Sequence, residues 1–215
     1  PTDAWFPIEP PNMRTLFGLD GSRAGDVNGD GVADFLISAN EQVFVYLGMT
    51  GAIATRPTQI LNNPIDGCFI EAGGLGGALG MGGDFNGDGF ADLAIGAPCL
   101  PARGSVSEGE GMVFVYSGRA GSIDGEPTRL VGERLNSFFG GRLEALGDFN
   151  GDGFDDLGVL NRYTNTLDKE FPARLSVFRG TPSGVQQGIR FIFDLVDGTR
   201  PILVWTQSHT TFRGV

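Results

Sequence analysis

The chain of 215 residues writes the same nine-residue acidic loop three times. It runs Asp26-Val-Asn-Gly-Asp-Gly-Val-Ala-Asp34, then Asp84-Phe-Asn-Gly-Asp-Gly-Phe-Ala-Asp92, then Asp148-Phe-Asn-Gly-Asp-Gly-Phe-Asp-Asp156, with starts 58 and 64 residues apart. Self-similarity at such a period marks an array of small units, each unable to bury its apolar face alone. The flanks repeat too. Nine residues before each loop stands an apolar residue followed by glycine: Phe17-Gly18, Leu75-Gly76 and Phe139-Gly140. After each loop comes a short apolar stretch: Phe35 to Ile37, Leu93 to Ile95, Leu157 to Val159. A strand-like alternation ending in glycine follows, at Val43 to Gly48, Val113 to Gly118 and Leu175 to Gly180. A fourth, less regular stretch closes each unit at Thr58 to Leu61, Thr128 to Val131 and Ile189 to Leu195.

Each unit therefore predicts four short antiparallel strands. No window holds a 3.6-residue apolar period over the length of a helix. The 36 glycines suit tight turns, and they lack the G-X-Y period of collagen. The expected fold class is all-β, with β-propeller blades packed face to face at about 15–66, 69–134 and 136–198. Residues 1–14 and 199–215 are expected as partial blade strands. Closed propellers usually have about four to eight blades. Either the terminal strands combine into a fourth blade, or the chain is a segment of a larger propeller completed by further residues or another chain; the second is preferred. The first residue is Pro1 rather than Met, which implies processing or truncation.

The loop pattern Asp-x-Asn-x-Asp-Gly-x-x-Asp offers hard oxygens at positions 1, 3, 5 and 9. Calcium takes six to eight oxygens at roughly 2.3–2.6 Å in flexible geometry, whereas magnesium demands a stricter octahedron. The candidate ligands are Asp26, Asn28, Asp30 and Asp34; Asp84, Asn86, Asp88 and Asp92; and Asp148, Asn150, Asp152 and Asp156. Val32, Phe90 and Phe154 at position 7 can add only a backbone carbonyl. Glycine at position 6 permits the left-handed turn that wraps the chain around an ion. An EF-hand needs an acid at position 12. That position holds Ile37, Ile95 and Val159, so the EF-hand is excluded. Asn-Gly and Asp-Gly alone are ordinary hairpin signals, but three copies with five fixed positions predict about three Ca²⁺ sites of structural kind.

These residues resemble FG-GAP (VCBS-type) repeats, the blades of the integrin α-chain propeller and of many bacterial extracellular proteins. Phe17-Gly18 and Phe139-Gly140 match the FG element, and Gly96-Ala97-Pro98 matches GAP. Leu75 replaces the phenylalanine of unit 2, and units 1 and 3 carry Ser38-Ala-Asn40 and Leu160-Asn-Arg162 in place of GAP. The resemblance covers roughly residues 15–198. It implies an extracellular or cell-surface module for adhesion or assembly. The alternative is a non-catalytic propeller domain of a secreted hydrolase or polysaccharide lyase.

If the acidic loop joins the first two strands, the second-to-third-strand loops lie on the opposite face. They are long in units 2 and 3, and long loops on a rigid scaffold often carry recognition. Arg103 and Glu108 lie in one; Arg162, Tyr163 and Lys169 lie in the other. The resemblance makes that face the ligand face, with a protein or glycan, or subunits completing the propeller, as expected partners. Ordinary variable surface loops remain the other reading. A net charge of −11 disfavours nucleic acid and anionic lipid. No apolar run approaches the ~18 residues of a membrane span. Cys68 and Cys99 fall on this same face of one blade and are expected to form a disulfide, with two buried thiols as the alternative. Enzyme chemistry finds little support: there is one histidine, His209, and no zinc spacing, nucleophile elbow or phosphate loop.

Overall fold

The computed structural model describes residues 8, 17–39, 42–62, 78–79, 82–98, 110–123, 125–133, 137–161, 173–187, 189–195, 202–207 and 210–211. Among them no helix forms, and the chain folds as three antiparallel sheets with two small hairpins. The first unit contains β1 (Phe17–Gly25), β2 (Asp34–Ala39), β3 (Gln42–Tyr46), the hairpin β4 (Gly48–Met49) and β5 (Ala52–Ile53), and β6 (Gln59–Asn62). Its sheet order is β1-β2-β3-β6. The second contains β7 (Ala78–Leu79), β8 (Leu93–Ala97), β9 (Met112–Tyr116), the hairpin β10 (Gly118–Arg119) and β11 (Ser122–Ile123), and β12 (Thr128–Val131). Its sheet order is β7-β8-β9-β12.

The third unit contains β13 (Arg142–Ala145), β14 (Leu157–Asn161), β15 (Ala173–Phe178) and β16 (Ile189–Leu195). Its sheet then continues in plane through β17 (Ile202–Gln207) and β18 (Thr210–Thr211). The apolar run Ile202 to Trp205 thus lies beside β16, with Trp205 opposite Phe191 in the register.

The alternation of strand side chains explains how the sheets stack. In β8 and β9 every residue is buried, so this sheet is covered on both faces. Leu93, Ile95, Phe114 and Tyr116 pack with Leu36, Val43 and Val45 of the first sheet. Ala94, Val113, Val115 and Leu130 pack with Leu143, Leu157, Val159 and Phe178 of the third. Burying a Val, Leu or Phe contributes about 1.5–3 kcal/mol, so these two interfaces are the main cohesion between units. On the other face of the first sheet, Ile8, Phe17, Phe35 and Ile37 pack around Phe44 and Tyr46, with the Phe35 and Tyr46 rings stacked at 4.9 Å.

Three features were not legible in the pattern. The hairpins β4–β5 and β10–β11 begin at Gly48 and Gly118, the glycines just beyond the third strands. Gln59 of the first unit clamps the second: its amide accepts from Ile123 N at 3.2 Å and donates to Ile123 O at 3.2 Å. Phe139 of the FG element forms a parallel bridge to Gly111 of the preceding unit, and β13 starts only at Arg142.

Candidate metal centres

Each acidic loop joins the first two strands of its sheet, and its carboxylates organise its own backbone. Asp26 Oδ1 accepts from Gly29 N at 2.7 Å and Asp30 N at 3.0 Å, while its Oδ2 accepts from Gly31 N at 2.7 Å. Asp84 accepts from Asp88 N and Gly89 N, and Asp148 from Gly151 N, Asp152 N and Gly153 N. Asn28 and Asn86 accept from the amide two residues on. Asp30, Asp88 and Asp152 accept from Val32 N, Phe90 N and Phe154 N. These nested turns need positive φ at position 6, which is +83° at Gly31, +89° at Gly89 and +93° at Gly153.

The Asp at position 9 has a different task. Asp92 Oδ2 accepts from Phe85 N at 3.0 Å and its Oδ1 from Gly118 N at 3.0 Å. Asp34 does the same with Val27 N at 2.9 Å and Gly48 N at 2.7 Å. Asp156 repeats it with Phe149 N at 3.1 Å and Gly180 N at 2.9 Å. All three carboxylates are buried. Each ties the start of its loop to the glycine two residues beyond its third strand. A Cβ on Gly48, Gly118 or Gly180 would strike the carbonyl of Ala33, Ala91 or Asp155, so only glycine lets the amide reach its carboxylate. The pattern had shown those glycines as strand ends without revealing this contact.

Burial pushes the Asp92 carboxyl up to about 7, with the Asp88 and Asp84 charges adding to the shift. Burial likewise raises Asp34, with Asp30 and Asp26 contributing, and raises Asp156. The third loop differs. Arg179 donates to Asp152 at 2.6 Å and holds that carboxyl below its usual range. Asn150 donates to Asp156 at 2.9 Å as well as bonding the Asp152 carboxyl.

The loops also meet one another. Ala91 N donates to Asp26 O at 2.9 Å, and Asp155 N to Asp84 O at 3.1 Å. Arg119 N donates to Val27 O, and Thr181 N to Phe85 O, both at 3.1 Å. The Phe90 ring lies against Gly29 and the Phe154 ring against Gly87. All candidate ligands of the three loops thus stand along one rim in series. Among the described residues, no group of three or more His, Cys, Asp or Glu side chains is arranged to hold a metal ion. The carboxylates are engaged by loop amides instead. The donor set still suits a hard cation: three carboxylates and a carboxamide within nine residues, with mutual repulsion evident at Asp34 and Asp92. Cys68, Cys99, Arg103, Glu108, Arg162, Tyr163, Lys169 and His209 lie outside the described residues.

A series of antiparallel sheets, each bearing the acidic loop at one rim and burying its faces against its neighbours, defines a β-propeller segment. Residues 75–116, which span the second loop with β8 and β9, match the FG-GAP repeat family model. The chain is an FG-GAP repeat protein, as the loop and flanking motifs led us to expect. It is 31% identical to integrin alpha-4 of Xenopus laevis over 176 residues, which are 72% of this chain and 16% of that protein. It is 31% identical to integrin alpha-5 of Xenopus laevis over 166 residues, 68% of this chain and 15% of that one. Over a shorter stretch of 77 residues it is 46% identical to integrin alpha-7 of Rattus norvegicus, covering 35% of this chain and 6% of the relative. The chain therefore spans about one-sixth of the length of the first two relatives.

Proposed function

We propose that the chain is a calcium-stabilised extracellular module for adhesion or assembly. The observation that carries this reading is the threefold recurrence of an all-oxygen loop whose carboxylates crowd one another. Asp26, Asn28, Asp30, the Val32 carbonyl and Asp34 would hold the first ion. Asp84, Asn86, Asp88, the Phe90 carbonyl and Asp92 would hold the second. Asp148, Asn150, Asp152, the Phe154 carbonyl and Asp156 would hold the third. Bound Ca²⁺ supplies positive charge that relieves the repulsion within each loop. Because the position-1 carbonyls of the first two loops accept from the following unit, fixing a loop also fixes the junction behind it. The sites are structural rather than catalytic. Similarity to integrin alpha chains supports an adhesive role at the cell surface. The partner, a protein or glycan or a completing subunit, would meet the opposite loop face through Arg103, Glu108, Arg162, Tyr163 and Lys169.

Calorimetry tests the core of the proposal. The thermal midpoint should fall in chelator and return with excess Ca²⁺, and Mg²⁺ should restore less of it. A midpoint indifferent to chelation and to Ca²⁺ overturns the calcium reading. Exchanging the two long loops for the short one of the first unit tests the partner face, with retained binding as the contrary result.

A further inference from the structure

The third acidic loop departs from the other two at position 8, where Asp155 stands in place of Ala33 and Ala91. The Asp155 side chain reaches across to the second unit. Its Oδ2 accepts from Asp84 N at 2.9 Å, while Asp155 N donates to Asp84 O at 3.1 Å. One residue of the third unit therefore grips both main-chain polar groups of Asp84, the residue that opens the second loop. At the first junction Ala91 N donates to Asp26 O at 2.9 Å in the same way, but its methyl group has nothing to offer Asp26 N. Gly83 makes room for the carboxylate: a Cβ there would stand 3.2 Å from Asp155 Oδ2. Gly83 is itself bonded to Asp92 in both directions, at 3.2 and 2.8 Å. The second loop thus leaves its sheet with residue 83 fixed by its own unit and residue 84 fixed by the next.

We propose that Asp155 is a positioning residue for the calcium site of the second loop: it holds the Asp84 backbone so that the position-1 carboxylate is aimed into the loop before an ion arrives. The inference rests on the calcium reading and adds to it a residue from a different unit, at a position the repeated motif leaves open. The Asp84 carboxylate already accepts from Asp88 N and Gly89 N, so its aim sets the curl of the whole loop. Fixing its backbone in advance removes part of the ordering cost that binding would otherwise bear. Groups that hold a metal ligand in place without touching the metal are commonly worth about ten- to a hundredfold in affinity. The first loop receives the main-chain bond from Ala91 alone at this point, so it serves as the internal control.

A Ca²⁺ titration of the whole isotope-labelled chain, followed at the amide resonances of Gly31 and Gly89, reads the first two loops separately, because each glycine donates to the position-1 carboxylate of its own loop. Asp155→Ala installs the residue that the other two loops carry at position 8. It should raise the Ca²⁺ midpoint at Gly89 about tenfold and leave Gly31 unchanged. Asp155→Asn keeps an oxygen able to accept from Asp84 N and should restore most of the affinity. A residue that only glues two units together would lower the thermal midpoint in chelator and leave the Gly89 titration unmoved. That result overturns the proposal, as does an Asn variant no better than the Ala variant. A wild-type chain in which neither glycine responds to Ca²⁺ overturns the calcium reading itself, and the proposal with it.

Discussion

The ring of Phe154, in the third acidic loop, packs against Gly87 in the second, so that a Cβ at Gly87 would stand 2.7 Å from Cε1. Gly87 has φ +73° and Gly151, its counterpart in the third loop, has φ +79°, but nothing lies within 4 Å of Gly151. The two positions separate backbone cost from junction cost. Gly151→Ala should lose only the left-handed penalty, about 1–2 kcal/mol. Gly87→Ala should lose that and a further ~1 kcal/mol or more from displacing the ring. Chemical denaturation of both variants measures the difference, and equal losses would mean that the ring moves aside freely.

Asp92 serves its loop with or without an ion. Asn at this position replaces one accepting oxygen with a donor, which then faces the N–H of Phe85 or Gly118. A buried group left unsatisfied costs about 1–3 kcal/mol. Asp92→Asn should therefore lower stability by about 2 kcal/mol in chelator as well as in calcium. Loss confined to the calcium-containing sample would reduce Asp92 to a ligand alone.

The third loop carries its own cation. Arg179 occupies Asp152 at 2.6 Å, and a divalent ion entering that loop must displace or tolerate it. If the loops bind Ca²⁺ as proposed, Arg179→Gln should tighten the weakest binding step several-fold, as read by titration calorimetry. The steps assigned to the other two loops should not change.

At alkaline pH the buried tyrosines decide the response. Burial raises the Tyr116 hydroxyl from 10.0 to about 12, and burial raises Tyr46 in the same direction. Above pH 10 the unfolded chain releases these protons first, so it binds fewer than the native state and stability falls as pH rises. The fall should run between about pH 10 and 12 for Tyr116. Tyr116→Phe should flatten the slope of the thermal midpoint over that interval, and an unchanged slope would assign the loss elsewhere.

The strands and loops were legible because their information is local. Alternation at Val43 to Leu47 and Val113 to Ser117, with Asn-Gly-Asp-Gly between strands, states its own geometry. The double duty of Asp34, Asp92 and Asp156 was not legible. It depends on glycines 14, 26 and 24 residues further along the chain, and nothing local distinguishes such a tie from a free ligand. The contacts between loops escaped for a similar reason. Ala91 N bonded to Asp26 O involves only main chain, which every residue carries. The in-plane path of β17 beside β16 also had no sequence signal, since an apolar strand edge accepts any register its turn allows.

The acidic loops meet the next unit largely through bonds from peptide N–H to peptide carbonyl, with glycines such as Gly118 and Gly180 close by. Such joints demand little of side-chain identity. A duplicated copy of the unit would inherit a working fit to both flanks at birth, and its outward loops could then diverge freely. The rim on which such growth depends would change slowly, while the face built from the connecting loops could take up new binding tasks.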